Sequence, residues 1–472
     1  NFDTIYYTRG QWTRAMQDQL PNFQLAAAAN FSSEDLETEL YEYALVASKN
    51  VNPLTGVAMD PHPASRCADY PSVHAYLLDT IGQEGTAFLM AGNSFKADWV
   101  TALDVCGYIE FFKADWDRCC SNYYPVGGWS AIHTRLKAAA QTAGVRFFQN
   151  SEVACLYQVP NPSNKKVKKY VALLDNKQGW SADRMIVNAG PMDIVNIGGN
   201  LGNALAKSAE VNSITPIEVA VYNAFYPSSW WTKFSSKAGA AFRVVHDQLC
   251  TIRSEFPNHA YVADSHAARP VYADDPRCVA EWKALYAAGG LPAVRERVHA
   301  VMQETFPGED IPMPLTDLFY SRKNSWHYLS PFATGRNVSV DSIEAWALAP
   351  MGDPTLCMVG EPYSIRGAGW AHGAWESAVN CLSKSWAGVL PAGVADKIQY
   401  YESGCNGAES FPNEVPQPEG DLDGVLPALR MVTGDAEDQP QAAMMSKSTV
   451  GDEEVPVVVS STSSSSQQRF RP

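Results

Sequence analysis

The stretch from Leu356 to Trp375 constrains this chain more than any other. It reads Leu-Cys-Met-Val-Gly-Glu-Pro-Tyr-Ser, and then Gly367-Ala368-Gly369-Trp370-Ala371-His372-Gly373-Ala374-Trp375. The apolar run Leu356 to Val359 predicts a short buried strand. Gly360 opens a turn, and a helix starts near Gly369 with Ala371, Ala374-Trp375, Ala378, Cys381-Leu382 and Trp386 on its apolar face. A strand thus delivers the carboxylate Glu361 to a Gly-rich turn, which can lay backbone N–H groups against an electron-rich ring edge or a diphosphate. Tyr124-Pro125-Val126-Gly127-Gly128-Trp129-Ser130 makes a second junction of this kind. Its helix carries Trp129, Ile132, Leu136 and Ala139-Ala140 on one face and closes near Gly144.

Between and around these junctions the pattern divides the chain. Residues 1–120 read as mainly helical, with aromatic and acidic residues mixed and breaks at Pro53, Pro61 and Pro63. Residues 121–205 hold the first junction, strand-like runs at Val145 to Phe148 and Val153 to Val159, a turn at Asn161 to Asn164, a returning strand from Lys165 to Leu174, and the short strand Met185 to Val187. The lysines 165, 166, 168 and 169 read as a solvated hairpin edge. Residues 206–322 form a separate block, β-like at Ile217 to Phe225 and Phe242 to Val245, then with two helices, the clearer carrying Leu291, Val294, Val298 and Val301-Met302. Residues 323–403 hold the second junction, and 404–472 is an acidic, Ser-rich tail expected to be disordered.

Bulk properties remove several function classes. An apolar fraction of 46% against 18% charged residues is that of a globular chain. The formal net charge of −15 argues against nucleic acid or an anionic membrane as the main partner. No run approaches the roughly 20 apolar residues of a membrane span; Met185 to Ala206 comes nearest and is broken by Pro191, Asp193 and glycines. The 10 cysteines include the pair Cys119-Cys120 but no paired C-x-x-C spacing, so they read mostly as small buried hydrophobes and no metal site is expected. Asn30-Phe31-Ser32 and Asn337-Val338-Ser339 fit the glycosylation sequon. The chain begins at Asn1 with no readable signal sequence, which leaves the compartment open.

Taken in order, Tyr124 to Arg135, Val153, Ala182 to Pro191, Trp326-His327 and Gly360 to Ser377 resemble the flavin-containing amine oxidase family, most closely its L-amino-acid oxidase branch. The resemblance runs from about residue 50 to 390. It implies an α/β fold: an FAD-binding Rossmann-like domain built from 121–205 and 323–403, with an α+β substrate-binding domain from 206–322 to which 1–120 contributes. It implies that Gly127, Gly128, Val153, Gly360, Glu361, Gly369, Trp370 and Ala371 bind FAD, with Val153 at the adenine, Gly360 and Glu361 along the ribityl–diphosphate, and 369–371 at the isoalloxazine edge. Trp326 and Trp370 are the expected catalytic aromatics, and His327 is a weaker candidate.

The chain departs from the family's pattern in three places. The G-x-G-x-x-G turn and the acidic residue about 20 positions on do not occur, since Gly198-Gly199-Asn200-Leu201-Gly202 has other spacing. The chain is therefore expected to be N-terminally incomplete, and the arginine that would bind a substrate carboxylate has no counterpart. Glu218 aligns loosely with a lysine that positions a water near the flavin. The expected activity is oxidation of an L-amino acid or primary amine by FAD and dioxygen, giving an imine, then an oxo acid or aldehyde, ammonia and hydrogen peroxide. The alternatives are a non-catalytic amine oxidase-like subunit and a desaturase- or protoporphyrinogen oxidase-like flavoenzyme. Assembly with itself or with another chain stays open.

Overall fold

The computed structural model describes residues 2–14, 22–25, 33–92, 97, 104–116, 129–161, 163–234, 241–250, 254–256, 266–329, 338, 340–364, 369, 371–386 and 457–460. Its strands are β1 (Phe2–Thr8), β2 (Gln11–Arg14), β3 (Val153–Asn161), β4 (Asn164–Leu174), β5 (Gly179–Ala182), β6 (Met185–Asn188), β7 (Ile214–Phe225), β8 (Ala241–His246), β9 (Ser254–Phe256), β10 (Ala267–Ala273), β11 (Thr316–Leu329), β12 (Leu356–Met358) and β13 (Val457–Ser460). The longer helices are α1 (Ser33–Leu40), α2 (Val73–Gly92), α3 (Val105–Trp116), α4 (Trp129–Thr142), α5 (Gly199–Ala206), α6 (Pro276–Thr305), α7 (Val340–Leu348) and α8 (Ala371–Asn380).

The largest layer is a seven-stranded sheet in the order β11-β7-β10-β9-β8-β1-β2. Alternation along β7 splits its side chains between two cores. Ile217, Val219 and Val221 pack with Leu36, Tyr76, Leu77 and Ile109 of α1, α2 and α3. Ala220, Tyr222 and Ala224 face the other way and pack with Val279, Trp282, Val298 and Met302 of α6. The two helices expected in this block are halves of α6, divided at Gly290, where φ is 66° and ψ −161°. A left-handed glycine with Pro292 two residues on breaks the helix without ending it.

The first 14 residues correct the expectation of a mainly helical N-terminus, because β1 and β2 form a hairpin with Ile5 opposite Arg14. The run Ile-Tyr-Tyr-Thr favours strand locally, and β1 also finds a parallel partner in β8, with Ile5 opposite Val244. Sequence periodicity in so short a window cannot announce a partner that far away.

The second region holds two three-stranded sheets, β12-β6-β13 and β3-β4-β5. Their core joins Leu156, Tyr170, Met185, Val187, Leu201, Ile343, Leu356 and Met358. The glycines at 198–202 serve packing: a Cβ at Gly199 (φ +85°) would lie 2.1 Å from the Leu156 carbonyl oxygen, and one at Gly202 would lie 2.3 Å from that of Ile197. Strand β13 lies in the tail expected to be disordered. It pairs in parallel with β6, Val457 opposite Met185 and Ser460 opposite Asn188, as three consecutive valines beside an open parallel edge can do. The run Val145 to Phe148, expected as a strand, has no regular structure. Phe147 and Phe148 stay exposed there, although the Phe148 ring lies against Trp180 of β5, 4.3 Å between centroids.

The cysteine reading is corrected as well. Disulfides join Cys67 to Cys106, Cys250 to Cys278 and Cys357 to Cys381, so six of the seven cysteines among the described residues are paired. The partners lie 39, 28 and 24 residues apart, separations that carry no local signature. Among the described residues no helix is long and apolar enough to cross a membrane, and no cluster of His, Cys, Asp and Glu could hold a metal ion.

Candidate active site

Strand β12 ends in the turn that the sequence singles out. Gly360 sits at φ 131° and ψ 166°, a region essentially reserved for glycine. A Cβ there would lie 3.0 Å from Asn188 Oδ1, at the end of β6. Ser377, one turn from the end of α8, ties the turn to the helix: its Oγ accepts from Gly360 N at 2.9 Å and donates back to Gly360 O at 3.0 Å. The buried Tyr363 hydroxyl donates to Ala189 O at 3.0 Å, fastening the turn to the end of β6. Burial raises the Tyr363 hydroxyl above its ordinary range, and the Glu361 and Asp193 carboxylates add to the effect. It therefore stays a neutral donor.

Glu361 is held on both oxygens. Its Oε2 accepts from Gly369 N at 2.6 Å, and its Oε1 faces His327 Nδ1. His327 Nε2 lies 2.9 Å from Asn324 Oδ1, and Asn324 Nδ2 donates to Asp193 Oδ2 at 2.9 Å. The irregularity of β11 puts Asn324 there. Arg322 pairs with Val219 and Trp326 with Ile217, so residues 323–325 stand opposite Glu218 alone. A bulge of this kind re-aims side chains beside functional sites.

On the neighbouring positions of β11, Trp326 and Tyr328 turn to the face of the sheet covered by α1 to α3. Both are buried, and their rings meet edge to face at 4.8 Å. Phe111 and Tyr108 of α3 extend this wall, 5.6 and 6.1 Å from Tyr328. Tyr272 of β10 packs against the same cluster, its hydroxyl pushed up to about 12 by burial and then by the Asp274 carboxylate. A Cβ added at Gly369 would lie 3.8 Å from Trp326 Cε3, so the wall begins directly beside the Glu361 turn.

Five residues named from sequence are therefore gathered at one place: Gly360, Glu361, Gly369, Trp326 and the weaker candidate His327. Ala371 starts α8 two residues beyond Gly369 and is exposed. Val153 opens β3 in the antiparallel sheet, part-buried against the core of that region. Gly127, Gly128 and Trp370 lie outside the described residues. Glu218 does not face Trp326. It points to the α6 side, where Lys283 Nζ lies 2.7 Å and Ser321 Oγ 2.9 Å from its Oε1. The loose alignment with a flavin-side lysine fails because the neighbour Ile217, and not Glu218, shares the face of Trp326. Asn324, Asp193 and Ser377 escaped sequence reasoning as functional candidates. Ser377 closes the stretch from Gly360 to Ser377, whereas nothing local distinguishes the other two.

No protein-family model matches this chain, and no curated protein matches it. Solved structures do. A variant of putrescine oxidase from a structure-based redesign of its cofactor binding aligns with TM-score 0.55 and 14% identity over 82% of this chain and 81% of that one. Wild-type putrescine oxidase bound to putrescine gives 0.54 and 13% over 80% and 79%. Cyclohexylamine oxidase from Brevibacterium oxydans IH-35A gives 0.53 and 15% over 84% and 81%. This chain shares their mixed α/β fold. At such identities the likeness speaks for the fold, and the site must speak for the chemistry.

Proposed function

We propose that this chain is an FAD-dependent oxidase of primary amines or L-amino acids. One observation carries the reading: the Gly360–Glu361 turn and Gly369 are locked together directly beside the Trp326 wall, in a chain whose fold is that of putrescine and cyclohexylamine oxidases.

The residues fit such a cofactor. Gly360 keeps the turn free of a side chain where the backbone would approach it, and Glu361 offers a fixed carboxylate to ribityl hydroxyl groups. The N-terminus of α8 presents backbone donors to the electron-rich edge of the ring system, where they would stabilise negative charge. When bound, FAD supplies the redox chemistry, taking a hydride from the carbon that bears the amine and passing electrons to dioxygen to give hydrogen peroxide. Trp326, Tyr328, Tyr108 and Phe111 exclude water and orient the substrate, and their surface suits an apolar or aromatic substrate side chain. The resulting imine hydrolyses to an oxo acid or aldehyde with release of ammonia.

The second reading, a non-catalytic amine oxidase-like subunit, draws on α4. This helix belongs to the segment expected to contact FAD, yet Ile132 and Leu136 on its apolar face are 38% and 49% exposed. Visible spectra of the purified chain, with and without added FAD, decide between the two. Flavin absorption and peroxide release over a panel of amines and L-amino acids are expected, and a protein that stays colourless with excess FAD defeats the oxidase reading. Flavin without peroxide would favour the desaturase-like alternative.

A further inference from the structure

We propose that Asp193, Asn324 and His327 form a directional relay that keeps a hydrogen on His327 Nε2 and one proton between His327 Nδ1 and Glu361 Oε1, so that His327 positions the Glu361 carboxyl group. The donor and acceptor capacity of each group sets the direction of the relay. The Asp193 carboxylate accepts hydrogen bonds and donates none, so the amide nitrogen of Asn324 must be the atom that faces it, at 2.9 Å. That orientation turns Asn324 Oδ1 toward His327 Nε2, also at 2.9 Å. A carbonyl oxygen only accepts, and Nε2 therefore carries a hydrogen. The other ring nitrogen, Nδ1, faces Glu361 Oε1, while the remaining carboxyl oxygen is already engaged by Gly369 N–H at 2.6 Å.

Two bare lone pairs facing each other across Nδ1 and Oε1 would repel. One hydrogen lies between them, in either an imidazolium–carboxylate or an imidazole–carboxylic acid pair, and both forms have zero net charge. The setting leaves the relay little freedom. His327 is 5% exposed, and a Cβ added at Gly190 would sit 2.7 Å from Asn324 Nδ2 and 3.0 Å from His327 Nε2. Asp193 and Glu361 are the carboxylates of the relay, and the neighbouring Tyr363 hydroxyl is a neutral donor held by Ala189 O. The relay ties three separate segments together: the turn after β6, the β11 bulge and the turn that carries Glu361. Its consequence for the cofactor rests on the reading of that turn as a flavin seat, because Glu361 can serve ribityl hydroxyl groups only while its carboxyl plane is held.

Histidine-ring NMR on the full chain labelled with 15N-histidine tests the relay without FAD. The chain has nine histidines, and the signals of His327 are those lost in H327Q. A protonated Nε2 with a strongly hydrogen-bonded proton on the Nδ1 side is expected, and a bare Nε2 overturns the proposal. Asp193→Asn can donate as well as accept, which frees Asn324 to turn over, so a second His327 tautomer should appear in that variant. An unchanged ring in D193N removes Asp193 from the relay. Titration with FAD then reads the positioning role: H327Q is expected to weaken binding about tenfold or more, the worth of one charge-assisted hydrogen bond. Equal affinity in H327Q and wild type refutes that role. If the wild type binds no FAD, the cofactor reading fails by itself, and the ring signals still decide the relay. Should H327Q fail to fold, D193N carries both measurements, with its second tautomer and weaker FAD binding expected together.

Discussion

At Gly360 the backbone stands in a region that side chains almost never enter, and a methyl group there would press on Asn188 Oδ1 at 3.0 Å. Gly360→Ala is expected to cost about 1–3 kcal/mol from backbone strain alone, which chemical denaturation would measure. A cost near zero would mean that the turn relaxes freely. Asp317 makes a separate case, away from the site. Burial pushes its carboxyl up, but hydrogen bonds from Arg295 (2.6 and 2.8 Å) and Tyr222 (2.8 Å) outweigh burial and hold it below the usual carboxylate range. A carboxyl lowered on folding contributes stability that is complete above its unfolded value of about 3.9 and is lost as pH falls through the lower, folded value. Asp317→Asn is thus expected to lose about 1.5–3 kcal/mol at neutral pH, because the hydrogen bonds from Arg295 and Tyr222 lose their charged acceptor. It should also show a flatter acid limb than wild type in urea melts taken across that pH range.

Among the elements, the Leu356–Ser377 unit was legible because each of its signals is local. An apolar run, a glycine, and an amphipathic repeat all lie within one window, and β12, the turn and α8 follow from them. What the window did not show is the covalent tie across the unit, from Cys357 in β12 to Cys381 just past α8. Replacing both cysteines by alanine is expected to destabilise the protein by about 3 kcal/mol, the loop-closure estimate for a loop of this size; calorimetry of the double variant provides the check. Helix α4 points the other way. Its amphipathic pattern predicted the helix correctly, but Leu136 is 49% exposed. Leu136→Lys should therefore shift stability by less than about 0.5 kcal/mol in the isolated chain, and a loss of several kcal/mol would reveal a cover on that face. Periodicity tells which face is apolar but not what meets it.

For the whole molecule, the fold matches oxidases with only 13–15% of their residues in common. Packing tolerates wide substitution when pattern and volume are kept. The proposed cofactor makes a prediction at this scale: FAD at a hundredfold excess over its Kd should stabilise the chain by about 2.7 kcal/mol through mass action. Thermal or urea melts with and without FAD would show it, and identical melts would count against binding to the folded chain.

By itself the sequence determined the strand–glycine–helix unit at 356–380, the placing of Glu361 in its turn, and the apolar stripes of α4 and α6, because these depend on neighbours within a few residues. The tertiary structure alone decided that Glu361 would be held by His327 and Gly369, that Glu218 would face Lys283 and not Trp326, and that β1 would pair with β8. It also decided that Gly199 would touch the Leu156 carbonyl and that six cysteines would pair. Each of these joins positions far apart in the chain or turns on which face a strand residue takes. A single bulge in β11 was enough to bring Asn324 to His327 while Trp326 kept its place in the wall.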